Sequence, residues 1–227
     1  MILIKRLFNF ALSKCFLTME LNEKQIQIIE TAERLFAERG FDGTSVRDIA
    51  DEAGVNVAMI SYYFGSKEKM MEALFELRVG SVKIRVESLI KDQSLSPLEK
   101  VNMLIDEHID RVMQKQCFHK IMMGVVATNK NPAILKAANS VKIRNAEVVT
   151  ELIKDGQKKG VFKKKIDVIL MMNTMVGTVS QTMMSQTYYR EFNKQQDMPD
   201  EEFEVLLKRR LSIHIKTLFK AILTNEA

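Results

Sequence analysis

His108, Cys117 and His119 are the side chains of this sequence best suited to metal or redox chemistry, since imidazole nitrogen and thiolate sulfur are strong ligands for zinc and copper. The set is too sparse to hold an ion. Only Cys15 and Cys117 are cysteines and no CxxC pair occurs, whereas structural zinc takes four such ligands. His108 follows Asp106 and Glu107 and reads as part of a solvated helix face. No serine, cysteine or threonine stands in a recognisable nucleophile–base pattern, so no catalytic residue, metal or cofactor is expected, and an enzyme is not expected either.

A different chemistry is legible between Ala50 and Tyr62. Ala50 is small where two helices would have to cross closely, and Gly54 supplies a turn conformation that costs other residues energy. Val55 and Ile60 can anchor the following short helix to a core. That leaves Val57, Ala58, Met59, Ser61 and Tyr62 without an obvious internal partner. Such a helix, displaying small and aromatic side chains, suits the major groove of duplex DNA. Helical hairpins in general also use a glycine turn, and Val57, Ala58 or Met59 could each pack inward instead.

The elements that must position these residues all read as helices. Glu23–Arg39 carries Ile26, Ile29, Leu35 and Phe36 at helical spacing, with Glu30, Glu33, Arg34 and Glu38 on the other side, and Gly40 stops it. Thr44 is the expected N-cap of Ser45–Ala53, Asn56 of Val57–Tyr63, and Ser66 of a helix running to about Lys91. Ser96-Pro97 opens another with proline at its first position, and Phe118–Thr128 and a helix from Asn131-Pro132 to Gly156–Gly160 follow. Two long helices close the chain, Asp167–Arg190 and Asp200–Thr224, for about nine helices after Met19 in an all-α fold.

Composition agrees. The 227 residues include 9 Gly and 3 Pro, too few for a sandwich or barrel, and no run of about 18 apolar residues that would cross a membrane. The net charge of +5 is uneven: 3 basic and no acidic residues in 1–18, 7 against 12 in 19–80, and 24 against 17 in 81–227. A basic pI of about 9.1 therefore proves little about nucleic acid by itself. Residues 1–18, with Lys5, Arg6 and Lys14 around a short apolar run, lack a small-x-small cleavage site. They read as a basic N-terminal extension or as the product of a mis-assigned start, with Met19 the initiator; a secretion signal is disfavoured.

The wider stretch Ile28–Leu74, IIETAERLFAERGFDGTSVRDIADEAGVNVAMISYYFGSKEKMMEAL, closely resembles the DNA-binding domain of the TetR/AcrR family of bacterial transcriptional repressors. The resemblance rests on Ala32, Leu35-Phe36, Gly40-Phe41, Thr44-Ser45-Val46, Ile49-Ala50, Ala53-Gly54-Val55, Tyr63-Phe64 and Ser66-Lys67-Glu68. It implies an N-terminal three-helix helix-turn-helix DNA-binding domain over 19–66, then a larger helical ligand-binding and dimerisation domain over 67–227. Thr44, Ser45, Tyr63 and Lys67 are then expected at phosphates, Arg47 at a guanine edge, and Asn56, Val57, Ala58, Met59, Ser61 and Tyr62 on the reading surface. Ser61 stands where the family often has tyrosine and Val57 where it is commonly polar, which leaves the operator sequence open. Arg47 could alternatively pair with Asp48, Asp51 or an acid of the first helix.

The function implied is a sequence-specific regulator, a dimeric repressor of a palindromic operator released by a small lipophilic ligand; the alternative is a ligand-independent or activating regulator. Expected partners are double-stranded operator DNA, a small-molecule effector and a second copy of the chain, with no membrane and a cytoplasmic location. Fifteen methionines, many on the C-terminal helices, either line an adaptable pocket or fill core and interface. Gly177, Thr178, Ser180 and Ser185 would permit close approach of two copies, with Phe203, Leu206, Leu207, Ile213, Leu218 and Phe219 filling the interface.

Overall fold

The computed structural model describes residues 21–128 and 131–225, so the expectations for residues 1–18 lie outside it. The described residues form eleven helices and no strand. Helix α1, Glu23–Arg39, opens with a capping box: the Asn22 side chain accepts from the Gln25 amide at 2.9 Å, and the Gln25 side chain accepts from the Asn22 amide at 3.0 Å. Its buried stripe is Ile28, Ile29, Ala32, Leu35 and Phe36. Ile26 is only half-buried, whereas Glu33, expected on the solvent side, is buried.

Helices α2 (Val46–Ala53) and α3 (Val57–Phe64) form the helix-turn-helix. Gly54 between them takes φ 63° and ψ 39°, the left-handed conformation that a side chain disfavours. The N-cap of α2 is Ser45, one residue later than expected, because the Thr44 hydroxyl is turned inward. Helix α4, Lys67–Val79, is capped by Ser66 and does not run unbroken to Lys91. The chain kinks at Gly80, where an added Cβ would lie 2.6 Å from the Glu76 carbonyl oxygen, and resumes as α5, Ser81–Lys91.

Helices α6 (Pro97–Gln114), α7 (Gln116–Thr128) and α8 (Pro132–Lys158) follow. The expected final pair is three helices, since Asp167–Arg190 breaks at Ser185 into α9 (Val168–Met184) and α10 (Gln186–Phe192), before α11 (Asp200–Leu223). These two breaks raise the count from nine to eleven.

Two apolar clusters hold the molecule. The first joins α1–α4 to Phe118, Ile121 and Val125 of α7 and to Ile134, Ala138 and Val141 of α8. The second joins Val86 of α5, the α6 stripe Val101-Ile105-Ile109-Val112, Leu152 and Ile153 of α8, and the inner faces of α9 and α11. Helix α8, 27 residues and therefore about 40 Å long at 1.5 Å per residue, contributes to both.

Buried and half-buried ion pairs fix the angles between these helices. Arg78 of α4 reaches Glu33 and Glu30 of α1, and Arg144 of α8 grips Glu76 of α4 with two bonds of 2.9 and 2.8 Å. Asp106 of α6 accepts from Ser212 and Lys216 of α11 at 2.6 and 2.5 Å.

Candidate DNA interface and buried polar site

Helix α3 is apolar in composition yet turns only Ile60 and Phe64 fully inward. Val57, Ala58, Ser61 and Tyr62 are exposed, Tyr62 at 85%, and Met59 is half-buried. The exposed residues are those expected on the reading surface, so the structure brings that set together on one helix. The Asn56 side-chain Oδ1 caps α3 by accepting from the Met59 amide at 2.7 Å, which leaves the side-chain NH2 as a donor at the helix mouth.

The expected phosphate contacts divide. Thr44 is 1% exposed; its hydroxyl donates to the Gly40 carbonyl at 2.9 Å and its amide bonds the Phe41 carbonyl, so it braces the loop from within and does not face a phosphate. Ser45 is exposed, but its amide and hydroxyl donate to the Asp48 carboxylate at 2.8 and 2.6 Å. Those bonds hold the Asp48 carboxyl below its ordinary range, so a phosphate at this helix end must compete with a carboxylate already seated there. Lys67 donates to the carbonyls of Phe41 and Thr44, both at 2.8 Å, and lies 4.1 Å from the Phe41 ring centre. One of its three ammonium hydrogens remains. Tyr63 is half-buried, its ring 5.4 Å from that of Tyr62 and 6.3 Å from that of Phe64.

Arg47 is exposed, and among the described residues no acid lies within ion-pair distance of it. Asp48 is engaged by Ser45, and the first-helix acids Glu30 and Glu33 by Arg78. The surplus acid of the N-terminal segment is thus partly consumed inside the domain, and the Arg47 guanidinium is left for a partner.

A second polar group lies in the other core and was not legible as a site. Imidazoles of His108 (α6) and His119 (α7) stand perpendicular, 6.0 Å apart. Burial, then the positive charge of Arg111, lowers the His108 pKa to about 3 and the His119 pKa to about 4. The expected solvated face at His108 is therefore wrong: His108 lies seven residues after Val101 on the same stripe as Ile105 and Val112, and that spacing is the signal that places it inside. His119 and Ser180 line a cavity of about 40 Å³ between α6, α7 and α9, walled by Val112, Met123, Met183 and Met184. The His108 Nε2 and Ser180 Oγ atoms are buried with no hydrogen-bond partner among the described residues. Cys117 is exposed, and no cluster of three metal-ligating side chains exists among the described residues.

Comparison with known proteins agrees with this geometry. Residues 28–74 match the model of bacterial regulatory proteins of the tetR family, and residues 75–217 match that of the YsiA-like C-terminal region. The chain therefore belongs to the tetR family of bacterial regulatory proteins, and it is a DNA-binding transcriptional regulator rather than an enzyme. Among its relatives, the fatty acid metabolism regulator protein of Bacillus subtilis is 26% identical over 160 residues, 70% of this chain and 81% of that protein. The transcriptional repressor KstR2 of Mycobacterium tuberculosis is 25% identical over 174 residues, 75% and 84% of the two chains. The fold is also that of the regulator FadR from Bacillus subtilis solved with stearoyl-CoA: TM-score 0.63, 24% identity, covering 84% of this chain and 96% of that one.

Proposed function

We propose that the chain is a homodimeric repressor that seats α3 in the major groove of a palindromic operator and leaves the DNA when a small lipophilic effector enters beside α7. The carrying observation is the exposure of Val57, Ala58, Ser61 and Tyr62 on a short helix whose opposite side is fixed in the core by Ile60 and Phe64. Arg47 reads a guanine edge from α2, while Ser45, Tyr63 and Lys67 lie on the phosphate side. Apolar contact of Val57 and Ala58 with thymine methyls replaces part of the hydrogen-bonded readout.

Dimerisation uses α9–α11. Leu170, Asn173, Gly177, Gln181 and Met184 are exposed at helical spacing along α9, and Tyr188 and Phe192 continue the seam on α10. Val205 and Ile213 are exposed on α11. Phe203, Leu207 and Phe219, expected in the interface, are buried within the protomer, so they support the seam from behind. A dimer would present two α3 helices to successive major grooves about 34–36 Å apart.

The effector reading is supported by α7, which has two faces. Phe118, Ile121 and Val125 pack into the DNA-binding cluster, with Phe118 edge-on to Phe75 of α4 at 6.1 Å. His119, Lys120 and Met123 of the same helix line the cavity between α6, α7 and α9. A ligand that widens the cavity displaces α7 and with it α1, changing the separation of the two recognition helices. The relative that regulates fatty acid metabolism and the neighbour holding stearoyl-CoA support an acyl-type effector. Selection of bound sequences from a random duplex pool tests the reading, followed by titration of stearoyl-CoA onto the complex. A palindrome whose half-sites are a whole number of helical turns apart, released by the acyl-CoA, is the expected result; no enrichment refutes it.

A further inference from the structure

The operator reading leaves unused the basic turn between α8 and α9. Residues 154–165 hold six lysines and one acid. Three of the lysines serve the fold. Lys154 pairs with Glu151 and Lys159 with Asp155, each at 2.8 Å, and Lys163 donates to the Ala221 carbonyl of α11 at 2.8 Å. Lys158, Lys164 and Lys165 are exposed, and among the described residues none has an acid within ion-pair distance. Lys158 stands near Glu151, but the bond of Glu151 goes to Lys154. Helix stability does not account for Lys164 and Lys165: they precede the N-terminus of α9, capped by Asp167, where the helix dipole disfavours a cation. The turn that carries them is closely tied. Gly160 takes φ 73°, the Val161 and Phe162 amides both donate to the Gly156 carbonyl, and the Phe162 ring is buried against Gly156. The Lys163 amide donates to the Leu223 carbonyl at 2.7 Å, and the Gln157 side chain donates to the carbonyls of Lys163 and Lys164 at 2.7 and 3.1 Å. The three lysines thus project from a fixed platform, with little backbone freedom left to lose on binding.

We propose that this turn is a second, sequence-independent DNA-binding surface, which takes the phosphate backbone of a duplex segment other than the operator. Lysine is a compact point charge that suits phosphates and lacks the planar fork that reads a base edge. The turn lies at the far end of α8 from the cluster that carries α3. Ile134, Ala138 and Val141 of α8 join that cluster, and Lys158 stands about 36 Å further along the helix than Ile134 at 1.5 Å per residue. A dimer that offers both α3 helices to one duplex therefore directs both basic turns away from it. The turn exposes one apolar side chain, Val161, and no aromatic ring, so it lacks the anchor with which an interfacial segment enters a lipid surface. A chain that holds an operator at one end and phosphates at the other joins two DNA segments. The surface goes beyond the operator reading and is present on each protomer; only the joining of segments rests on that reading.

The test is a two-duplex capture with the full chain. The selected operator duplex is fixed to beads, the chain is loaded, and recovery of a labelled duplex of unrelated sequence is read at rising salt. The unmodified chain recovers the labelled duplex, and recovery falls steeply as salt rises. Lys158→Gln, Lys164→Gln and Lys165→Gln together lower it about ten-fold or more while the amount of chain on the beads stays the same. Lys158→Arg, Lys164→Arg and Lys165→Arg together keep it. No recovery by the unmodified chain, or equal recovery by the glutamine variant, overturns the proposal. Vesicles of phosphatidylcholine and phosphatidylglycerol that sediment the unmodified chain but not the glutamine variant, with no labelled duplex recovered, assign the surface to a lipid sheet and overturn it too. So does growth of the unmodified chain into species larger than a dimer that the glutamine variant loses, again without duplex recovery, which assigns the surface to a second copy. If selection yields no operator, the operator reading fails on that result alone, and anisotropy of the labelled duplex with the free chain is read instead. Binding about ten-fold weaker in the glutamine variant then supports the surface, and equal binding overturns it.

Discussion

Acidification towards pH 5 should remove a large share of this chain's stability, because burial keeps His108 and His119 neutral in the folded state. In the unfolded chain both imidazoles return to a pKa of about 6.5. Folded values of about 3 and about 4 mean that below the unfolded pKa the unfolded state binds protons that the folded state refuses. Stability is therefore full above about pH 6.5 and falls as the pH drops towards the folded values, by up to about 1.4 kcal/mol per pH unit for each group. Between about pH 7.5 and about pH 5 each histidine contributes a loss of about 2 kcal/mol, so the pair costs about 4 kcal/mol. That is a large share of the ~5–15 kcal/mol that holds a protein of this kind folded. The groups held below their ordinary values, Asp48, Asp92, Glu99 and Glu151, titrate lower still and do not confuse this window. The assay is urea unfolding at fixed protomer concentration across the range, on the unmodified chain and on His108→Gln with His119→Gln. The double variant should lose most of the slope, whatever its stability at neutral pH. A flat profile in the unmodified chain, or the same slope in the double variant, refutes the assignment of these imidazoles to the interior.

Other perturbations follow from single contacts. Glu33→Gln leaves the Arg78 side chain, only 13% exposed, without its main counter-charge and should destabilise by about 3 kcal/mol in urea unfolding. Gly156→Ala drives a methyl to 2.2 Å from the buried Phe162 ring, an overpacking cost of about 1–3 kcal/mol visible as a lowered Tm. Gly54→Ala forces a side chain into the left-handed region at φ 63°, costing about 1–2 kcal/mol. Arg47→Ala should leave stability unchanged and cost about 1–3 kcal/mol of operator binding, with discrimination relaxed at one base pair; an unchanged base preference at every position would place Arg47 outside the readout.

The helix-turn-helix was legible because its constraints are local. Gly54, the caps Asn56 and Ser66, and the apolar positions of α1–α3 act within a turn or two of themselves, and the structure keeps them nearly where the pattern put them. The cap of α2 shifted from Thr44 to Ser45 because the Thr44 hydroxyl finds carbonyls of the preceding loop and α1, a choice made by a fold-back that a linear reading does not see. Likewise Glu33 looks like a surface acid until α4 brings Arg78 against it, 45 residues further on.

Sequence alone determined the all-helical class, the tetR resemblance and the surface of α3, since helical periodicity and turn stereochemistry are written in neighbouring residues. Tertiary structure decided what the second domain can hold. His108, His119 and Ser180 lie on three helices, and only the packing of α6 against α7 and α9 buries their polar atoms and brings His119 and Ser180 to the wall of one cavity. Desolvation depends on everything that surrounds a group, so it is a property of the assembled core and not of any stretch of chain.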